Sequence, residues 1–217
     1  MAEYRAAREA MVDCQVRPAD VTRYPVIEAM LWAPRELFVP RQARPVAYAG
    51  AEIEIAPGRT LLEPRILGKM LDAAAIGPKD LVLEIAPGTG YSTALIARMA
   101  EAVIAIEPDA SLATQAQATL AGLEIPNAVV SEGDPTAGDV EHAPFDVIFV
   151  NGAVEVLPES FTAQLRDQGR LVAIFAEGGV GKCRLLIKSG EAVSERYLFD
   201  AGGPVIAGFE QPQTFVF

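Results

Sequence analysis

The hydrophobic positions of this chain fall into short runs separated by glycine, proline and charged residues. The clearest lie within residues 80–107, where Leu81-Val82-Leu83 and Val103-Ile104-Ala105-Ile106 have the length and continuity of buried parallel strands. Between them the chain turns through Gly88 and Gly90 into a segment whose Ala94, Leu95, Ala97, Arg98 and Met99 suit a helix. This pattern predicts a βαβ unit with a ligand crevice at the carboxyl edge of its strands.

The same reading extends in both directions. Residues 3–14 have helix-forming composition, and a second helix starts at residues 20–22, with Val26, Ile27, Met30 and Leu31 as its apolar stripe and Pro34 as its stop. Residues 51–56 alternate as a strand with Ile53 and Ile55 on one face, and Pro57-Gly58 turns it. A helix over residues 64–75 follows, with Pro64 at its first position and Gly77 closing it. Beyond Glu107 the pattern predicts a helix at 110–120, strands at 128–130 and at 145–150 ending in Asn151-Gly152, a helix at 158–165 and a strand at 170–175. The tail carries closely spaced strand-like runs at 183–187 and 192–198, and then Phe215-Val216-Phe217, so an antiparallel hairpin is expected at the sheet edge. The apolar ending has an alternative use as an interface strand that pairs with a second copy of the chain in a homodimer. The fold class is α/β: a Rossmann-like, doubly wound, mostly parallel sheet with an antiparallel edge hairpin and N-terminal helices. One domain is expected over residues 1–217, divided into an N-terminal segment (1–79), a core (80–176) and C-terminal edge strands (177–217).

Composition narrows the function classes. At 217 residues and 51% hydrophobic, the chain can bury a core without disulfides or metals. Its net charge of −11 repels phosphate backbones, which excludes nucleic acid as the expected partner. Cys14 and Cys183 are far apart and outside any C-x-x-C pattern, as in reduced cytosolic proteins. The single histidine, His142, sits in a polar loop and reads as solvated, and no metal site is expected. Trp32 reads as a packing residue. The first ten residues lack an apolar signal region, and no apolar stretch approaches the roughly 18 residues that span a bilayer. The expected compartment is the cytoplasm, with no membrane partner.

The turn within residues 80–107 carries the candidate chemistry. Glycines let a ligand approach the backbone, the following helix offers free N–H groups, and an acid after the second strand, Glu107, can accept both hydroxyls of a ribose. Those features suit any adenosine-containing cofactor. A dinucleotide fingerprint requires glycine or alanine where Thr93 stands, and Glu84 before the loop would repel a pyrophosphate. An acid at that point suits an amino-bearing ligand, which disfavours a nicotinamide-dependent oxidoreductase. The purely structural alternative is that the glycines only turn a strand into a helix.

Glu84-Ile85-Ala86-Pro87-Gly88-Thr89-Gly90 resembles the first motif of class I methyltransferases that use S-adenosylmethionine (AdoMet), and residues 83–91 resemble the form found in protein-L-isoaspartate O-methyltransferases. The resemblance widens through Met11-Val12-Asp13-Cys14-Gln15, Pro34-Arg35-Glu36-Leu37-Phe38-Val39-Pro40 and Gly58-Arg59-Thr60. Downstream it continues through Glu132-Gly133-Asp134, Ala143-Pro144-Phe145-Asp146 and Gly169-Arg170-Leu171-Val172, covering roughly residues 8–176.

The resemblance implies a class I methyltransferase fold and a methyl group transferred from AdoMet to a carboxylate, with S-adenosylhomocysteine (AdoHcy) as product. The acceptor it implies is a protein or peptide isoaspartyl residue, in protein repair. It places Thr60, Leu61, Glu84, Ile85, Ala86, Pro87, Gly88, Thr89, Gly90, Glu107, Pro108, Asp134 and Pro135 at the cofactor, with Glu107 on the ribose and Asp134 at the adenine edge. Leu62 and Asn151 fall on the acceptor side. An ionised carboxylate needs orientation and exclusion of water more than a general base, so the lack of a catalytic histidine is consistent.

The chain departs from the family at four points. Ala86 stands at the first glycine, Pro135 at a glycine, Leu62 at a serine that orients the acceptor, and Glu63 at a glutamine. Leucine donates no hydrogen bond and Glu63 would repel a carboxylate, so weak activity on isoaspartyl peptides is expected. The alternative function is a homologue that binds AdoMet or AdoHcy and serves as a binding module or acts on another carboxylate.

Overall fold

In the computed structural model, residues 2–177 and 179–211 are described. The chain opens with α1 (Ala2–Met11), which loosens into a π-helical turn over Val12–Val16, and then α2 (Tyr24–Trp32). Two short strands, β1 (Ile53–Ala56) and β2 (Arg59–Leu61), form an antiparallel hairpin separate from the main sheet, and α3 (Pro64–Ala74) follows. The alternating elements come next: β3 (Leu81–Ile85), α4 (Tyr91–Ala97), β4 (Ala102–Glu107), α5 (Ala110–Gly122), β5 (Ala128–Glu132), β6 (Phe145–Val154), α6 (Ser160–Ala163), β7 (Leu165–Glu177), β8 (Val180–Ser189) and β9 (Ala192–Asp200).

Strands β3 to β9 make one seven-stranded sheet in the order β5-β4-β3-β6-β7-β8-β9. The five strands from β5 to β7 run parallel, and β8 and β9 close the edge as an antiparallel meander. From β3 the chain winds outward through β4 and β5, then returns to the other side of β3 with β6. The topological switch point therefore lies between β3 and β6, where ligands bind in doubly wound sheets. This is the α/β architecture that the apolar runs predict.

Alternation along the strands divides the core by face. Val82, Val103, Ala105, Val147, Phe149, Val172 and Ile174 pack with α2, α3, α4 and the N-terminal segment. Leu83, Ile85, Ile106, Ile148, Val150 and Leu171 pack on the other face with Phe161 and Phe209. Glu84, between Leu83 and Ile85, consequently points to the first face, toward α4. Trp32 packs against that same core, with the Arg98 guanidinium 4.9 Å from its ring centroid.

Several boundaries differ from expectation for identifiable reasons. Helix α2 starts at Tyr24, because Asp20 is left-handed (φ 64°) and the Asp72 carboxylate takes the Thr22 and Arg23 N–H groups. Helix α3 is closed by Ala75 in the left-handed conformation (φ 51°), and Gly77 instead donates its N–H to Asp80. Helix α4 stops at Ala97, before Arg98 and Met99. The fourth buried strand does not end at Asn151-Gly152. It continues to Val154 because the C-terminal segment pairs with it: Ala153 donates to Pro204 and accepts from Ile206. The helix expected over 158–165 shrinks to Ser160–Ala163, because Leu165 opens β7 opposite Phe145, whose N–H donates to the Gln164 carbonyl. Phe215-Val216-Phe217 lies outside the described residues.

Cys14 is exposed, Cys183 is buried, and neither forms a disulfide. His142 is exposed beside Asp139. Among the described residues no helix is long and apolar enough to cross a membrane.

Candidate cofactor and acceptor site

The loop between β3 and α4 has a conformation that its sequence only partly favours. Ala86 is left-handed at φ 57°, a region natural to glycine, and its N–H is tied to the Ile106 carbonyl at 2.8 Å. Gly88 (φ 62°) and Gly90 (φ 89°) hold left-handed backbone that favours glycine, and both are closely packed. A Cβ on Gly88 would lie 2.6 Å from Ile55 Cδ1, and one on Gly90 would lie 3.1 Å from Ala116 Cβ. Two further bonds fix the loop. Thr89 Oγ1 donates to the Phe38 carbonyl at 2.6 Å, and Asn151 Nδ2 donates to Ser92 Oγ at 2.9 Å and to the Pro87 carbonyl at 3.4 Å.

Two buried carboxylates flank this loop. Glu84, in β3, is 0% exposed, and neither of its oxygens has a hydrogen-bond partner. Burial pushes its pKa up to about 7. The nearby hydroxyls of Ser92 and Thr93 pull it down, and the charge of Glu107 adds to the rise. Neither hydroxyl meets Glu84 in hydrogen-bond geometry, and Thr93 Oγ1 is itself unpartnered, so their influence is electrostatic.

Glu107, at the end of β4, is equally buried but saturated with donors. Arg59 grips it with Nη1 on Oε1 at 2.5 Å and Nη2 on Oε2 at 2.8 Å, while the N–H groups of Gly88 (2.7 Å) and Asp109 (3.1 Å) take the remaining positions. Arg59 also reaches the Ala86 carbonyl at 3.1 Å.

The acceptor-side residues have different surroundings. Leu62, 2% exposed, is part of the hydrophobic core, and its carbonyl accepts from the buried Arg35 at 2.7 Å. Arg35 Nε holds the Ala47 carbonyl, its guanidinium lies 4.8 Å from the Tyr91 ring centroid, and burial lowers its pKa. Glu63 is bound by Arg65 at 2.7–2.8 Å, so its charge is partly compensated and its repulsion of an acceptor is weaker than expected. Asn151 lies within a strand, so it is not a turn former, and its amide donors serve the glycine loop.

The remaining predicted positions frame the loop. Thr60 Oγ1 donates to Glu52 at 3.2 Å, Leu61, Ile85 and Pro87 are buried, and Pro108 is half-buried. Asp134 is exposed, and its Oδ1 accepts from the N–H and hydroxyl of Thr136 at 2.8 and 2.7 Å, which lowers its pKa; the neighbouring Pro135 is buried.

Sequence reasoning passed over Arg59, Ser92 and Arg35. The signal for Arg59 was present, a lone cation beside Thr60, but nothing local linked it to an acid 48 positions away. As a set of acceptors, the unpartnered Glu84 carboxylate and, once Arg59 leaves it, the Glu107 acid two residues before α5's N-cap at Asp109 fit an adenosyl ligand bearing an amino group, beside a loop turned by glycines.

Comparison with known proteins agrees. The family described as Protein-L-isoaspartate(D-aspartate) O-methyltransferase matches residues 6–197. A protein-L-isoaspartate O-methyltransferase of Koribacter versatilis is 41% identical over 165 residues, covering 76% of this chain and 74% of the relative. One from Methylorubrum populi is 37% identical over 193 residues, covering 88% and 90%. Among solved structures, a protein-L-isoaspartate O-methyltransferase superposes with a TM-score of 0.81 at 23% identity, over 93% of this chain and 66% of that one. A Plasmodium falciparum structure described as a putative member in complex with S-adenosyl-L-homocysteine gives 0.78 at 18% identity, over 93% and 97%. The two superpositions establish the shared fold, and the sequence matches establish kinship: this chain belongs to the protein-L-isoaspartate O-methyltransferase family.

Proposed function

We propose that the chain transfers a methyl group from AdoMet to the side-chain carboxylate of isoaspartyl residues in damaged proteins, with the cofactor in the crevice between β3 and β6. Family membership makes it an AdoMet-dependent methyltransferase; the residue roles are our reading. The observation that carries them is the unpartnered buried carboxylate of Glu84 beside a loop built on Gly88 and Gly90. Glu84 faces the cofactor's ammonium end, Glu107 its ribose hydroxyls and Asp134 its adenine edge. Thr60, Leu61, Ile85, Ala86, Pro87, Thr89, Pro108 and Pro135 shape the walls.

When bound, AdoMet supplies an electrophilic methyl carbon on a sulfonium. The protein's task is then to align the acceptor and to exclude water. Arg35 shapes the acceptor turn by holding the Leu62 carbonyl, and Asn151 braces the loop opposite. No proton need be removed from an ionised carboxylate, so no general base is assigned.

A second reading is favoured by Leu62, whose side chain packs in the core where the family's orienting serine stands. In that reading the chain binds AdoHcy or AdoMet and turns over slowly or acts on another carboxylate. One experiment separates the two: AdoMet-dependent methylation of an isoaspartyl peptide beside its aspartyl control, with cofactor binding measured in parallel. Turnover confined to the isoaspartyl peptide is the expected result, and binding without turnover on either peptide selects the second reading. The double variant Leu62→Ser with Glu63→Gln should raise the rate about ten- to hundredfold if one charge-assisted hydrogen bond to the acceptor is regained. A wild-type rate equal to that of the double variant, itself shown folded by thermal melting, would remove Leu62 from the acceptor site.

A further inference from the structure

The acid assigned to the ribose has no free acceptor position. A carboxylate offers about four lone-pair sites, and on Glu107 all are used: Arg59 Nη1 and the Asp109 N–H on Oε1, Arg59 Nη2 and the Gly88 N–H on Oε2. The two backbone donors are fixed by the glycine loop and by the start of α5. Only Arg59, on a side chain 17% exposed, can withdraw without moving the main chain of the sheet.

Arg59 belongs to the β1–β2 hairpin, whose strands pair with no strand of the main sheet and whose side chains reach the glycine loop. Among them are Arg59, on Glu107 and the Ala86 carbonyl, and Ile55, packed on Gly88 where no Cβ intervenes. Ile53 and Leu61 bury the hairpin in the core, so the part free to yield is the Arg59 side chain itself.

We propose that Arg59 is an internal competitor of the cofactor: its guanidinium occupies the ribose-binding face of Glu107, and the nucleoside binds by displacing it from that carboxylate. This rests on the AdoMet reading of the crevice. Arg59 thereby determines cofactor affinity by opposing it, whereas an ordinary binding residue would support it.

The test is calorimetric titration of AdoHcy into the wild type and the variants Arg59→Gln and Arg59→Lys, with thermal unfolding of each in the absence of ligand. Arg59→Gln removes the competitor and should bind AdoHcy about ten- to hundredfold more tightly, the factor attached to hydrogen bonds with a charged group. Its ligand-free melting temperature should fall, since Glu107 loses its counter-ion. Arg59→Lys keeps the charge without the two-pronged grip and should lie between. If Arg59→Gln fails to fold, Arg59→Lys decides by binding more tightly than the wild type or not. Unchanged or weaker binding in the variants, with the wild type binding, overturns the competition alone. No binding by any of the three overturns both the competition and the cofactor reading.

Discussion

The neighbouring strands β3 and β4 each carry a glutamate at their carboxyl end, and the two acids have opposite surroundings. Glu84 and Glu107 are both 0% exposed. Glu107 has a guanidinium and two backbone N–H groups on it, whereas Glu84 has no hydrogen-bond partner at all. The difference shows that depth of burial does not decide how an acid behaves. A fully coordinated carboxylate can be a structural anchor, while an orphaned one stores desolvation energy that a cationic ligand can recover. A strongly perturbed acid beside the switch point of a doubly wound sheet marks a candidate site.

The comparison predicts its largest effect at Glu107. Replacing Glu107 with Ala leaves Arg59 without its counter-ion and Gly88 without its acceptor, and breaking a buried pair from one side costs about 3–5 kcal/mol. Urea unfolding at neutral pH measures it. A loss below about 1 kcal/mol would mean that the ion pair forms only weakly in solution, and the contrast between the two acids would disappear.

Glu84 comes next, with the opposite sign. Its folded pKa of about 7 lies above the ordinary carboxylate value of 4.5, so the folded state holds the proton more tightly than the unfolded chain. Below pH 4.5 both states are protonated and there is no penalty. As pH rises toward 7 the unfolded chain ionises first and the wild type loses stability, and above 7 the loss is complete. Glu84→Gln should therefore match the wild type at pH 4 and exceed it by about 3 kcal/mol at pH 8. Denaturant melts across that range check it, and parallel curves for the two proteins would show that Glu84 titrates normally. An ammonium ligand beside Glu84 would reverse the penalty, so the same variant should lose AdoHcy affinity despite its greater stability.

The contrast also marks the limit of what the sequence reveals. The sheet was legible because runs such as 103–106 and 145–150 are buried on both faces, and the glycine loop because Gly88 and Gly90 have left-handed backbone that few other residues adopt. Where long-range pairing overrides local signals, reading failed. Asn151-Gly152 has the composition of a turn yet stays in β6, because residues 204–206 come back to pair there. Ala86 is left-handed with no glycine to announce it, held by the Ile106 carbonyl. The Arg59–Glu107 pair had no local signature, because 48 positions separate its members.

The smallest expected effect tests whether Glu84 is truly orphaned. Thr93 is fully buried with an unpartnered hydroxyl, and that hydroxyl holds the Glu84 pKa below what burial alone would give. Thr93→Val keeps the shape and removes the dipole. Two consequences oppose one another: relief of an unsatisfied buried hydroxyl stabilises the fold by about 1 kcal/mol, and loss of a favourable neighbour raises the Glu84 pKa further. The first operates at every pH, while the second appears only once Glu84 is ionised. Thr93→Val should thus be more stable than the wild type at pH 4, with that advantage shrinking as pH passes 7. In a Glu84→Gln background the shrinkage should vanish, because no charge remains for the hydroxyl to stabilise, and a double-mutant cycle run at pH 4 and pH 8 isolates the coupling. Equal coupling at both pH values would mean that the hydroxyl and the carboxyl interact through packing alone, and Glu84 would then owe its raised pKa to burial and to Glu107.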